Sequence, residues 1–381
     1  MAKHAWHRLL RVGSAILFTM IVLALLLELA AVYAYRTEGD TPLPSNFGNF
    51  GHVRAMLKPE AAGETFSFAV LGDSREHSAL ERICDVLRGE PLAFMIHLGD
   101  FTARPTEENH RFLRAELPGE VSSRFPMFYI PGNHDVDEET YPLSQFEETY
   151  GPTNFSFEYK DCLFIVVRVL DERYDTAESL SFLERALAEK RDRFRRVFVF
   201  SHIPPPVSDM FSARSFQNAW EFVRLYDQYK VDYVIAGDYH GYVHVKRHNT
   251  DYFVTGGAGS RLKERTYGRF HHALVFQVGP DTISLGILHV EGTGRDLEDE
   301  WERLAIIKLP AFYRDHPMTC ILANALVVTV LGGLVVLWWR GRRRRHALRR
   351  AEASGVDAQP RRESAESRSG VEQREGTNDR L

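Results

Sequence analysis

Four short strings fall in one order along the chain: Asp73-Ser74-Arg75, Gly99-Asp100, Gly132-Asn133-His134-Asp135 and, after the pair Ser201-His202, Gly237-Asp238-Tyr239-His240. Each ends an apolar run, so carboxylate, amide and imidazole ligands gather where strands stop. A glycine at such a point lets the backbone turn sharply and project the next side chain from the sheet edge. Oxygen and imidazole donors that converge in this way can hold two divalent ions about 3.5–4 Å apart, the spacing that clamps the attacking and leaving oxygens of a phosphoryl displacement. Metal-assisted hydrolysis of a phosphoester is the chemistry these residues point to.

The elements that must position them are legible as apolar runs. Residues 66–71, 92–96, 127–130, 196–200 and 233–236 have the length and the β-branched or aromatic content of buried strands. Helical patterns alternate with them at 78–88, 106–117, 142–150, 178–193 and 215–229, a rhythm that predicts an α/β layered domain. From residue 232 the helices are expected to stop and short strands to follow at 242–247, 251–255, 272–278 and 282–289.

The order of the strings resembles the calcineurin-like metallophosphoesterase superfamily, whose pattern reads D-x-H, G-D, G-N-H-D/E, H and G-H-x-H. The resemblance covers residues 66–289 and implies two facing mixed β-sheets flanked by helices. It implies that one metal is held by Asp73, the bridging Asp100 and His240, and a second by Asp100, Asn133, His202 and Asp238. Two divalent ions drawn from Mn, Fe, Zn or Mg suit this donor mixture. In the family a metal-bridged hydroxide attacks phosphorus; His134 sits where a histidine contacts or protonates the leaving oxygen, and Asp135 is expected to orient its ring.

Two residues depart from the family pattern. Arg75 replaces the histidine of D-x-H and cannot ligate a cation, and Asp238 replaces the first histidine of G-H-x-H. The first metal site thereby loses a neutral ligand and is expected to be the weaker. Arg75 reads either as a guanidinium clamp on substrate phosphate, acting with His134, or as the ion-pair partner of Asp238 or Glu76. His77 is either a replacement ligand or a surface residue at a helix start. His97 reads as a hydrogen-bonded core residue, His244 as lining the site, and the loop 203–211, with Met210 and Phe211, as a wall of the substrate pocket.

The ends of the chain set this unit in a membrane. Residues 12–35 and 318–339 are apolar and long enough to cross a bilayer. Residues 36–316 carry 32 Lys+Arg against 44 Asp+Glu, a net of −12, whereas residues 340–381 carry 12 Arg against 7 acids, a net of +5. By the positive-inside rule both termini lie in the cytoplasm and the acidic middle faces the other side, which makes a two-pass cell-membrane protein with an extracytoplasmic catalytic domain. A cleavable signal peptide is the rival reading of the first run and leaves the side of the domain unchanged.

The expected divisions are a cytoplasmic N-terminus (1–11), a first span (12–35), a linker (36–65), the metallophosphoesterase domain (66–290), a juxtamembrane segment (291–317) that lies at the membrane interface or packs as a helix on the domain, a second span (318–339) and a basic, disordered tail (340–381). The net −12 of the middle repels a polyanion, so nucleic acid is not an expected partner; the bilayer and a phosphoester are. Cys84 and Cys162 read as two buried thiols. Two function classes follow: a membrane-anchored phosphomonoesterase or phosphodiesterase, and a non-catalytic receptor or scaffold with a degenerate metal site.

Overall fold

The computed structural model describes all residues except 1, 38–40, 60–63, 76–78, 120, 122–123, 212–213, 263–269, 292–296 and 356–381; the side chains of 2–11 and 351–355 also lie outside the description. Glu76 and His77 therefore lie outside the described residues. The chain divides into two compact units, Leu25–Pro317 and the two end segments Met1–Ala24 and Met318–Leu381.

The first helix, α1 (Ala2–Thr37), contains the first apolar run, and α2 (Gly51–Arg54) is a single turn. Then follow β1 (Phe66–Leu71), α3 (Ala79–Leu87), β2 (Leu92–His97), α4 (Glu107–Gly119), β3 (Met127–Tyr129), α5 (Leu143–Tyr150), β4 (Phe155–Tyr159), β5 (Cys162–Val166), α6 (Ala177–Lys190), β6 (Arg196–Ser201), α7 (Ala219–Gln228) and β7 (Tyr233–Ala236). The remainder comprises β8 (Tyr242–Arg247), β9 (Thr250–Thr255), β10 (His271–Val278), β11 (Ile283–Val290), α8 (Leu297–Glu302), α9 (Leu309–Asp315) and α10 (Pro317–Gly355). Helices α1 and α10 are each long and apolar enough to cross a membrane.

Two mixed sheets, ordered β11-β10-β1-β2-β3 and β4-β5-β6-β7-β9-β8, make up the body of the larger unit. Pairing is parallel at β1/β2/β3 and along β5/β6/β7/β9, while β4, β8, β10 and β11 join antiparallel. Because side chains alternate across a strand, one set of residues faces the opposite sheet and the next faces helices. Phe68, Phe94, Phe164, Phe198 and Phe276 fill the space between the sheets, with Phe68 5.4 Å from Phe164 and Phe94 5.0 Å from it. Ala69, Leu71 and Met95 turn the other way, onto α3 and α4, and Val197 and Val199 lie under α6 and α7. Burial on both faces explains why these strands read as unbroken apolar runs.

The sequence expectations fail at two places in this unit. The segment expected as a linker folds onto the domain: Phe47 is buried in the core, and Asn49 donates to Tyr129 O and accepts from Tyr129 N. After residue 232 helices resume in the juxtamembrane segment, which takes the packed-helix form of its two expected readings. A π-helical turn at Arg303–Lys308 joins α8 to α9, with Ala305 and Ile306 packed on Phe112 of α4 and on Ala31 and Ala34 in the last turns of α1. Small alanines let that helix approach closely, so its final turns are a domain contact. The second failure is that α7 begins at Ala219, because Asn218 takes a left-handed φ of 56° and delays the start. Cys84 and Cys162 are buried and unpaired, and burial pushes both thiols up to about 12.

Candidate metal centre

The loops that leave β1, β2, β3, β6 and β7 carry the site. Asp73, Arg75, Asp100 and Asp238 all take left-handed backbone, with φ between 49° and 61°. Asp tolerates that region because its short side chain bonds locally, and Arg does not, so each turn stores strain of order 1 kcal/mol. Close approach of the loops permits the geometry. Gly99, at φ +100°, would place a Cβ 2.6 Å from Gly132 N, and a Cβ on Gly132 would run into Asp100 N and Oδ1.

Asp73, Asp100 and His240 form one donor cluster, their ligand atoms lying within 4.8 Å of one another. Asp73 is fully buried; its Oδ2 accepts from Asp238 N at 2.9 Å, and its Oδ1 has no hydrogen-bond partner among the described residues. That bare oxygen lies 3.4 Å from His240 Nε2. His240 Nδ1 lies 2.8 Å from the Arg261 carbonyl, which can only accept, so Nδ1 carries the proton and Nε2 offers a lone pair. A buried carboxylate oxygen without a donor, facing an imidazole lone pair, fits a divalent cation.

Asn133, His202 and Asp238 form a second set around the same Asp100. His202 is also fixed by its far nitrogen, Nδ1 donating to Leu98 O at 2.8 Å, and its Nε2 lies 3.2 Å from Asn133 Oδ1, 3.4 Å from Asp100 Oδ1 and 3.9 Å from Asp238 Oδ1. Here, however, a cation is already in contact. Arg214 donates from Nη1 to Asp238 Oδ1 at 2.7 Å and to Asn133 Oδ1 at 2.8 Å.

Charge balance sets the protonation of the site. Burial alone would raise the Asp100 carboxyl, but His202, His134 and Arg75 hold it down at about 2. Burial acts against a charged His202, yet Asp100, Asp73 and Asp238 lift its pKa above the ordinary value. Asp238 is pushed up by burial, with Asp73 and Asp100 adding to the effect against His202 and Arg214.

The sequence-derived roles are redistributed in part. All six expected ligands converge as described. Arg75 pairs with Asp100 Oδ2 at 2.9 Å, while Asp238 pairs with Arg214. His134 points Nδ1 at Ala103 O, 2.9 Å away, and places Nε2 4.0 Å from Asp100 Oδ2. Asp135 does not orient that ring: its carboxylate accepts from Asp100 N, Gly132 N, Thr102 N and Thr102 Oγ1 and so staples the two ligand loops together. His97 bonds Ser74 Oγ and Gly99 N inside the core. His244 lies on Asp251 at a half-exposed edge, outside the site, and Phe211 packs on Val243 and Val254. Arg214 was not among the residues singled out from sequence, since no spacing ties it to the strings; its distance of 12 residues beyond His202 in a Pro-rich loop was the available signal.

A family model described as calcineurin-like phosphoesterase matches residues 66–242. Among solved structures, GAP50, the anchor in the inner membrane complex of Plasmodium, is 12% identical, with 64% of this chain and 95% of that one covered at a TM-score of 0.44. The purple acid phosphatase PPD1 of yellow lupin is 14% identical, with 62% and 55% covered at 0.47, so this chain spans about half of that one. A dimetal phosphatase of Danio rerio is 13% identical, with 59% and 97% covered at 0.47. No curated protein matches the chain. The matched residues 66–242, a little under half of the chain, are thus similar to the calcineurin-like phosphoesterases.

Proposed function

We propose that this protein is a membrane-anchored phosphoesterase that hydrolyses a phosphomonoester or phosphodiester with divalent metal, on the extracytoplasmic side. The observation that carries the reading is the bare Oδ1 of Asp73, buried and facing His240 Nε2 and the Asp100 carboxylate. Asp73, Asp100 and His240 would hold a cation there, and Asn133, His202 and Asp238 are the further donors on the other side of Asp100. Bound divalent metal supplies Lewis acidity and lowers the pKa of water toward neutrality.

The remaining work belongs to the chain. Arg75 keeps its guanidinium on Asp100 with its side chain 24% exposed, so a phosphate oxygen can share that charge as it builds up in the transition state. His134 is anchored through Nδ1 and its side chain is 31% exposed; as the imidazolium it would donate from Nε2 to the leaving oxygen. Asp135 holds the loops at fixed separation and keeps Asn133 and His134 in register with Asp100.

Sidedness rests on the net −12 between the spans and the +5 beyond the second. A second reading, a receptor or scaffold without turnover, is favoured by one feature: two arginines already bond the carboxylates of the site.

Two experiments test the proposal. The full-length chain in detergent should hydrolyse an aryl phosphate monoester or diester, and Asp100→Asn should not; equal turnover in both would end the assignment. Native cysteines are buried. A cysteine in place of exposed Lys246 should therefore react with an impermeant thiol reagent in intact cells, and one in place of Arg349 only after permeabilisation; the reverse pattern would place the domain in the cytoplasm.

A further inference from the structure

The two donor sets are not equivalent, and the difference assigns a role to Arg214. We infer that the centre holds one divalent cation, on Asp73, Asp100 and His240, and that the Arg214 guanidinium takes the place of a second on Asn133 and Asp238. The inference rests on the metal-dependent reading above and narrows it.

Three observations carry it. First, Arg214 Nη1 reaches both oxygens with one nitrogen, 2.7 Å from Asp238 Oδ1 and 2.8 Å from Asn133 Oδ1, one hydrogen to each. It thereby meets two of the four donors a second ion would need, beside a His202 Nε2 only 3.2 Å from that same Asn133 oxygen. Second, Asp73 Oδ1 in the first set has no hydrogen-bond donor among the described residues. Third, the charges point the same way. Asp73, Asp100 and Asp238 against Arg75 and Arg214 leave one negative charge, which a single divalent ion reverses to one positive; a second ion would add two more positive charges beside a guanidinium that already bonds its oxygens. The position where the family pattern has a neutral imidazole and this chain has the Asp238 carboxylate is the one a guanidinium can pair with. The Arg214 side chain is 42% exposed, so its removal opens the second set without emptying the core.

The test is metal stoichiometry in the full-length chain in detergent, loaded with Mn(II), separated from free ion and read by elemental analysis and electron paramagnetic resonance. Wild type should carry one Mn per chain with the six-line signal of an isolated ion. Arg214→Gln and Arg214→Ala should rise to two per chain with the broadened signal of a coupled pair, and adding Asp238→Asn to Arg214→Ala should return the count to one. Two coupled ions in wild type, or a count that stays at one in both Arg214 variants, would overturn the inference and leave the metal-dependent function standing. No bound Mn in any of these proteins would overturn both.

Discussion

Asp73 and Asp238 are both buried carboxylates on left-handed turns, one after β1 of the first sheet and one after β7 of the second, and they end in opposite states. Asp73 keeps an oxygen with no donor, whereas Asp238 is bonded to a guanidinium from a loop that follows His202. Ligand type alone therefore does not say where a cation goes. Each half was assembled from strand ends by the same turn chemistry, and what separates them is a residue delivered from outside the motif strings.

The sharpest way to break the comparison is to remove the group both halves share. Asp100 accepts from Arg75 and from His134 N and lies beside His202. Asp100→Asn should lower kcat/KM by about 10³-fold or more and release the cation from the Asp73, Asp100 and His240 set, since that carboxylate is common to both sets. Activity assays paired with elemental analysis check this; retained metal with lost turnover would confine Asp100 to the chemical step.

Arg75 belongs to the first half by position and bonds Asp100 at 2.9 Å. Arg75→Ala should lower kcat/KM by about 10²-fold with metal content unchanged. Unchanged turnover would make Arg75 a structural ion-pair residue and leave Arg214 as the sole arginine of functional weight.

Gly132 sits between the halves. Gly132→Ala would drive a Cβ into Asp100 N and Oδ1 and should cost about 1–3 kcal/mol of stability, read as a lower unfolding midpoint. Because the clash pushes Asp100 out of both sets, affinity for metal should fall as well; a stability loss without that fall would show that the loops yield separately.

Acid should destabilise the domain. His110 donates from Nε2 to Asp135 O, and the buried His272 ring bonds Thr255 Oγ1 and Phe270 O. Burial holds their folded pKa values at about 3 and about 4, below the ordinary 6.5. Above pH 6.5 both states are neutral and nothing changes. As pH falls from 6.5 toward 4 the unfolded chain gains protons the folded one refuses, so stability declines by about 1.4 kcal/mol per pH unit for each histidine. Denaturant midpoints between pH 8 and 4.5 follow this, and His110→Gln should remove its share of the slope.

Much of this was legible before any coordinates. The convergence of six donor residues, the alternating strands and helices from residue 66 and the burial of His97 are readable from runs such as Phe66–Leu71, where burial on both faces leaves an apolar signature. The misses have a common physical origin in contacts distant along the chain. Phe47 enters the core from a segment whose Pro, Gly and Asn content reads as a spacer, and Asp135 bonds backbone N–H groups that no pattern displays. Arg214 reaches Asn133 across 81 residues. Local spacing names what can ligate; which groups are already satisfied is decided by tertiary contact.

The central claim is that this centre works through divalent metal, and chelation tests it most directly. Full-length protein should lose hydrolysis of an aryl phosphate ester on exhaustive chelation and recover it when Mn(II) is returned, with no recovery in Asp100→Asn. Full turnover in the metal-free protein would contradict the account.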